Sequence, residues 1–302
     1  MICLNWLVAV ATALAPVGTS PTSLHVVDLG TLAGGYSHAR AINDRGEVVG
    51  VSAVEDSVHA FLWRDGRMTD LGTLGGRFSV ASDINDRGEV VGYSSTANGA
   101  LHAFLWRDGH MTDLGTVGPQ DSASAATGIN DRGDIVGQTD GPDNLHAFRW
   151  RRGQMTLIDS GPSIAYGINN RGDVVGTSFA DGIATATLWR DGRAIAVGQG
   201  DALAINDRGQ IIVGAGLWRD GHVTPIDPPA HAVYVQGTGL NNHGAVVGFS
   251  DVGAFLWRQG HAITLPALAP EINSAVDIND RGQIVGMSGS AEGKLRAVLW
   301  TR

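Results

Sequence analysis

Short apolar runs separated by clusters of Gly, Asn and Asp fill the chain from residue 24 onward, and they carry the spacing of strands rather than of helices. In the segment 78–114 the pattern predicts four strands, at 78–84, 89–95, 102–107 and 110–114. Asn85-Asp86-Arg87-Gly88 turns between the first two. Asp108-Gly109 joins the last two as a tight hairpin whose central positions favour φ > 0. The unit recurs. Asn43, Asn85, Asn130, Asn169, Asn206, Asn241 and Asn279 mark it at intervals of 35 to 45 residues. Trp63, Trp106, Trp150, Trp189, Trp218, Trp257 and Trp300 follow, one in each unit. Two independent markers in register exclude coincidence. Four strands in about forty residues is the period of a propeller blade. The expectation is an all-β, seven-bladed β-propeller of four antiparallel strands per blade, spanning residues 24–302.

The ends of the pattern distinguish a closed ring from an open solenoid. Val26-Val27-Asp28-Leu29-Gly30 matches the fourth strand Met68-Thr69-Asp70-Leu71-Gly72, and the chain stops on the third strand of the last unit at Leu299-Trp300-Thr301-Arg302. The N-terminal strand should therefore complete the last blade and remove two free sheet edges.

Composition narrows the function. A net charge of −9 argues against a nucleic-acid binder, which needs a basic face to replace counterions. The 43 Gly fit many tight turns. The apolar stretch from Leu4 to Val17 is too short to span a bilayer and fits a signal peptide over residues 1–19. The expectation is a secreted protein, extracellular or periplasmic, that is monomeric and not integral to a membrane. The one cysteine, Cys3, lies in that leader, so no disulfide and no Cys-based zinc site is expected.

Residues repeated in every blade solve problems that every blade has. The seven Trp read as inter-blade core, each contributing up to roughly 4–6 kcal/mol by burial. The small residues four before each marker Asn, such as Ala39, Ala81 and Gly237, should let the inner strands crowd around the axis. The Asn-Asp-Arg-Gly block reads as turn chemistry rather than a calcium loop, because its spacing does not match the EF-hand pattern. These turns and the Arg after each Trp should share one rim as a solvated face of alternating charge.

The strings His59-Ala60-Phe61-Leu62-Trp63, His102-Ala103-Phe104-Leu105-Trp106 and His146-Ala147-Phe148-Arg149-Trp150 resemble the HAF repeat family of extracellular bacterial proteins. The Asp-Leu-Gly-Thr-Leu-Gly-Gly and Ile-Asn-Asp-Arg-Gly-Glu-Val-Val-Gly strings look like the rest of that repeat. Blades four to seven depart from it, with Thr185, Gly214, Gly253 and Arg296 in place of the His. The resemblance implies export and repeat architecture, and no established activity.

Function is then sought in residues that differ between blades. His38, Arg40, Tyr166, Asp201 and Gln236 belong to the variable inner-strand positions near the channel mouth. Arg40, Arg77, Lys294 and Arg296 could form a cationic patch across blades one, two and seven, suited to a carboxylate or an acidic sugar. The preferred reading is a binding module that takes a glycan, a peptide, a small anionic molecule or a protein on its variable rim. A lyase, cyclase or hydrolase is the alternative, with Tyr166, His38, Asp201 and His231 as acid–base candidates. No G-x-S-x-G or H-E-x-x-H motif supports it, and no cofactor or metal is assigned. A structural surface protein is the third reading.

Overall fold

The computed structural model describes residues 24–118, 122–141, 144–270 and 272–302; the expected leader, residues 1–19, lies outside them. Seven four-stranded antiparallel sheets form a ring. Residues 37–70, 75–113, 124–157, 163–199, 202–225 and 235–264 make blades one to six, each in the order inner to outer along the chain. Blade seven takes its three inner strands from residues 273–301 and its outer strand from His25–Asp28. That strand pairs with Leu295–Thr301, from His25 opposite Thr301 to Asp28 opposite Val298. The closure expected from the offset ends is therefore present.

Local structure follows the expected turns. In blade two the strands are Gly75–Ile84, Val90–Thr96, Leu101–Arg107 and His110–Asp113. Asp108 and Gly109 both take positive φ, 52° and 83°, as the hairpin requires. The inner strands carry a bulge, in blade one between Ala39 and Ala41. The Gly of Val-Val-Gly faces that bulge: a Cβ built on Gly50 would lie 2.0 Å from the His38 carbonyl oxygen. Any side chain there would push the inner strand off its partner.

The core consists of seven apolar clusters, one at each blade junction. At the first junction, Phe104 and Trp106 of blade two pack against Leu62 and Leu71 of blade one. Burial of the Trp row is uneven. Trp189, Trp257 and Trp300 are buried, whereas Trp63, Trp106, Trp150 and Trp218 are half-buried; Phe61, Phe104, Phe148 and Phe255, two residues earlier, are buried outright. The small row also differs from expectation. Ala39 packs beside Val285 and Ala297 of the neighbouring blade, so smallness serves the seam between sheets and not the axis.

Two hydrogen-bonded circuits run around the ring. Each marker Asn donates its side-chain amide to the backbone carbonyl of the marker Asn in the next blade, at 2.9–3.1 Å, and Asn279 closes the circuit on Asn43. Its Oδ1 accepts from the backbone N–H groups two and four residues on, as at Arg45 and Glu47. The next residue makes the second circuit. The backbone N–H of Asp44 donates to Asp86 Oδ1, and so on through Asp131, Asn170, Asp207, Asn242 and Asp280 back to Asp44, at 2.7–2.8 Å. The Asn-Asp-Arg-Gly block is thus a blade-to-blade fastener as well as a turn.

Candidate functional site

The repeated polar residues are spent on the scaffold. Ser37, Ser79, Ser124 and Ser163 each donate to the carbonyl of a preceding Gly and accept an N–H from the third strand of the previous blade. His59 and His102 bond Asp70 and Asp113 on their own outer strands, at 2.8 and 2.7 Å. On the rim of the marker turns, Glu47 is held by Arg45 and Arg64, and Glu89 by Arg87 and Arg107. The Asp and Arg of these turns are half-buried or exposed, as the solvated face requires, but the Glu carboxylates between the Arg residues are buried. Burial pushes their pKa up, but the Asn and Arg partners win and hold both below the usual Glu range.

What remains is the channel. Its wide part is a cavity of about 490 Å³ lined by His38, Arg40, Ser82, Thr127, Tyr166, Leu203, Thr238 and Val276. Strand alternation explains the set: residues 38 and 40 face the channel while 37 and 39 are buried in the sheet contacts. Three of the expected site residues, His38, Arg40 and Tyr166, therefore share one cavity. His38 Nε2 and Arg40 Nε are buried with no hydrogen-bond partner among the described residues. Burial first, and then the Arg40 charge, lower the His38 pKa to about 4, so its ring is neutral at pH 7. Burial and the Asp201 charge raise the Tyr166 pKa, with a Thr177 hydrogen bond opposing them. Thr177 donates to Asp201 Oδ1 at 2.5 Å. Thr127 and Thr238 donate to carbonyls of the next blade, Ala165 and Ala275, which leaves their oxygens as acceptors.

The other expected site residues lie elsewhere. Gln236 is half-buried and donates to the Gly237 carbonyl. His231 is exposed on the loop before blade six, at φ 70°. Arg77 is exposed, and its carbonyl accepts from Ser57. Lys294 and Arg296 donate to the Gly34 and Gly35 carbonyls across the seam between blades seven and one. Arg296 also faces Asp28 at 3.6 Å and Glu292 at 3.4 Å. Of the four cations in the expected patch, Arg40 alone lines the channel cavity.

Two acids in the channel wall were not anticipated. Asp83 accepts from Ile84 and from Ile129 of blade three, and Asp277 accepts from Ile278 and from Ile42 of blade one. Loss of hydration raises both pKa values, that of Asp83 to about 7. Their signal in the sequence is a single Asp where the other blades carry Ala or Gly. The raised value means that the folded state holds a proton which the unfolded chain releases near pH 4. Stability from this group is therefore present at acid pH and lost as pH rises toward 7. Thermal melts from pH 5 to 8 should show Asp83→Asn gaining on the wild type as pH rises. A constant offset would exclude the raised pKa.

No family model matches the sequence, and no curated protein matches it. Solved structures do match. The β-propeller domain of the Trilobed protease from Pyrococcus furiosus superposes with a TM-score of 0.54 at 12% identity, over 76% of this chain and 83% of that one. It is described as having an open velcro topology; here the N-terminal strand seals the last blade. Acylaminoacyl peptidase from Pyrococcus horikoshii gives 0.54 at 11% identity, over 88% of this chain and 51% of that one, so the chain spans about half of it. Aleuria aurantia lectin gives 0.43 at 11% identity, over 87% of this chain and 92% of that one. At these identities the likeness is one of fold.

Proposed function

We propose that this propeller is a binding module that takes a small polar ligand bearing an acidic group into the wide part of its channel. The observation that carries the reading is Arg40, whose guanidinium lines the cavity and has no carboxylate within 4.0 Å among the described residues. A cavity-lining guanidinium without a carboxylate partner is a charge-assisted donor for a ligand carboxylate. Neutral His38 and the Tyr166 hydroxyl supply further hydrogen bonds beside it. Export and membership of the HAF repeat family belong to the same proposal. A processed amino terminus on protein from the native host supports export, and an intact Met1 rejects it.

The binding test is a thermal-shift screen against carboxylated sugars and other small acids, repeated with Arg40→Ala. A ligand at a hundred times its Kd adds about 2.7 kcal/mol to stability. An acid that stabilises the wild type and binds Arg40→Ala at least ten times more weakly supports the reading. A panel with no stabilising acid, or one bound equally by the variant, rejects it.

A further inference from the structure

The junction between blades three and four departs from the other six. Elsewhere the residue before the marker Trp is Leu and packs toward the next blade, as Leu62 and Leu256 do. In blade three it is Arg149. From the other side, blade four offers Thr187 where blades one, two, three and six carry a buried Phe. Both substitutions thin the same apolar seam. A cleft of about 330 Å³ opens there on the rim of the marker turns, lined by Arg132, Arg149, Arg151 and Arg171 and by Asp134, Asp173 and Asp191.

The charges in this cleft do not balance. Blades one and two place a Glu between their two rim Arg residues, but blade three has Asp134, one methylene shorter. Asp134 reaches Arg151 at 3.0 Å, and Asp173 pairs with Arg171 and Arg190 at 3.2 and 2.9 Å. Neither Arg132 nor Arg149 has a carboxylate within 4.0 Å among the described residues. Arg149 donates one N–H to the Gly172 carbonyl, and its Nε is buried without a partner among the described residues. Burial, with Arg151 and Arg132 nearby, lowers its pKa against the pull of Asp134. A charge therefore stands where the repeat specifies Leu, with no carboxylate partner among the described residues.

We infer that the cleft between blades three and four binds a doubly charged oxyanion, a phosphate group, through the forked guanidiniums of Arg132 and Arg149. Arg132 and Arg149 have no carboxylate partner among the described residues, and Arg presents paired donors suited to phosphate oxygens. The site lies on the rim of the marker turns, shares no residue with the channel cavity and is independent of Arg40.

The test uses the full chain and three probes: inorganic phosphate, glucose 6-phosphate and acetate. Isothermal titration should show both phosphates binding, acetate at least tenfold more weakly, and affinity falling with added chloride. Arg149→Leu restores the residue of the other blades and should fold at least as stably while weakening phosphate binding tenfold or more. Arg132→Ala should weaken it similarly, and Arg40→Ala should leave it unchanged. Tighter binding of the sugar phosphate would identify an ester as the ligand; equal binding would identify the free anion. Phosphate bound equally by wild type and Arg149→Leu, or not bound at 10 mM, overturns the inference.

Discussion

Asn130→Asp is expected to lower the free energy of unfolding by about 3–5 kcal/mol, the scale of a buried charge left without a partner. The two residues have the same shape, and an Asp carboxylate could still accept the N–H groups of Arg132 and Asp134 that Asn130 Oδ1 accepts. What disappears is the amide donor that reaches the Asn169 carbonyl in the next blade. In its place a carboxylate oxygen would face that carbonyl at a site only 3% exposed. Asn170→Asp is the control. Five of the seven equivalent positions are already Asp, and residue 170 lies at the solvent edge, so a cost of about 1 kcal/mol from like charges is expected. Urea unfolding of the two variants checks the difference. Equal midpoints would mean that the amide circuit does not hold the blades together.

The second large effect comes from removing residues 24–30. Blade seven would lose its outer strand, exposing the edge of Leu295–Thr301 and uncovering Leu29's place beside Phe61 and Leu299. Lost strand pairing and apolar burial together amount to roughly 5 kcal/mol. For a chain of this size that is a fall in Tm of about 8 °C. The free edge should also recruit other chains, seen as oligomers by light scattering. A synthetic peptide of residues 24–30 in excess should restore both the Tm and the monomer. An unchanged melting point in the truncated protein would refute closure by this strand.

The fold was legible because it rests on repetition, which one chain displays without any alignment. Two markers in register gave the blade, and a fourth strand placed ahead of the first blade gave the seal. The marker Asn was read only as a turn residue, although the signal for its second role was in the sequence. An Asp would serve the turn as well, and the neighbouring position does mix Asp with Asn, yet all seven markers are Asn. A turn alone does not demand an amide donor; a bond to the next blade does. Arg149 was equally visible as the break in the Leu-Trp marker.

Side-chain direction was harder to read. Arg40 and Arg296 looked alike as blade-specific cations, but one faces the channel and the other reaches across a seam to Gly35. Linear spacing fixes the strand and the face; it does not say which carbonyl a long flexible side chain will find. Asp83 and Asp277 were missed for a related reason. Their partners are backbone N–H groups on adjacent blades, which no spacing within one repeat reveals.

Both hydrogen-bonded circuits pass through the seam between blades seven and one with the same kinds of donor and acceptor as at the other six junctions, whereas the two ends of the strand order meet inside blade seven, between His25–Asp28 and Leu295–Thr301. The circuits therefore do not register where the polypeptide begins. Physically the ring is a cycle of equivalent joints, and covalent order is one of seven ways to read it. A circular permutant opened between any two blades, with the present ends linked, would carry the same fastening. The blade junction, rather than the blade, is the unit from which this architecture is assembled.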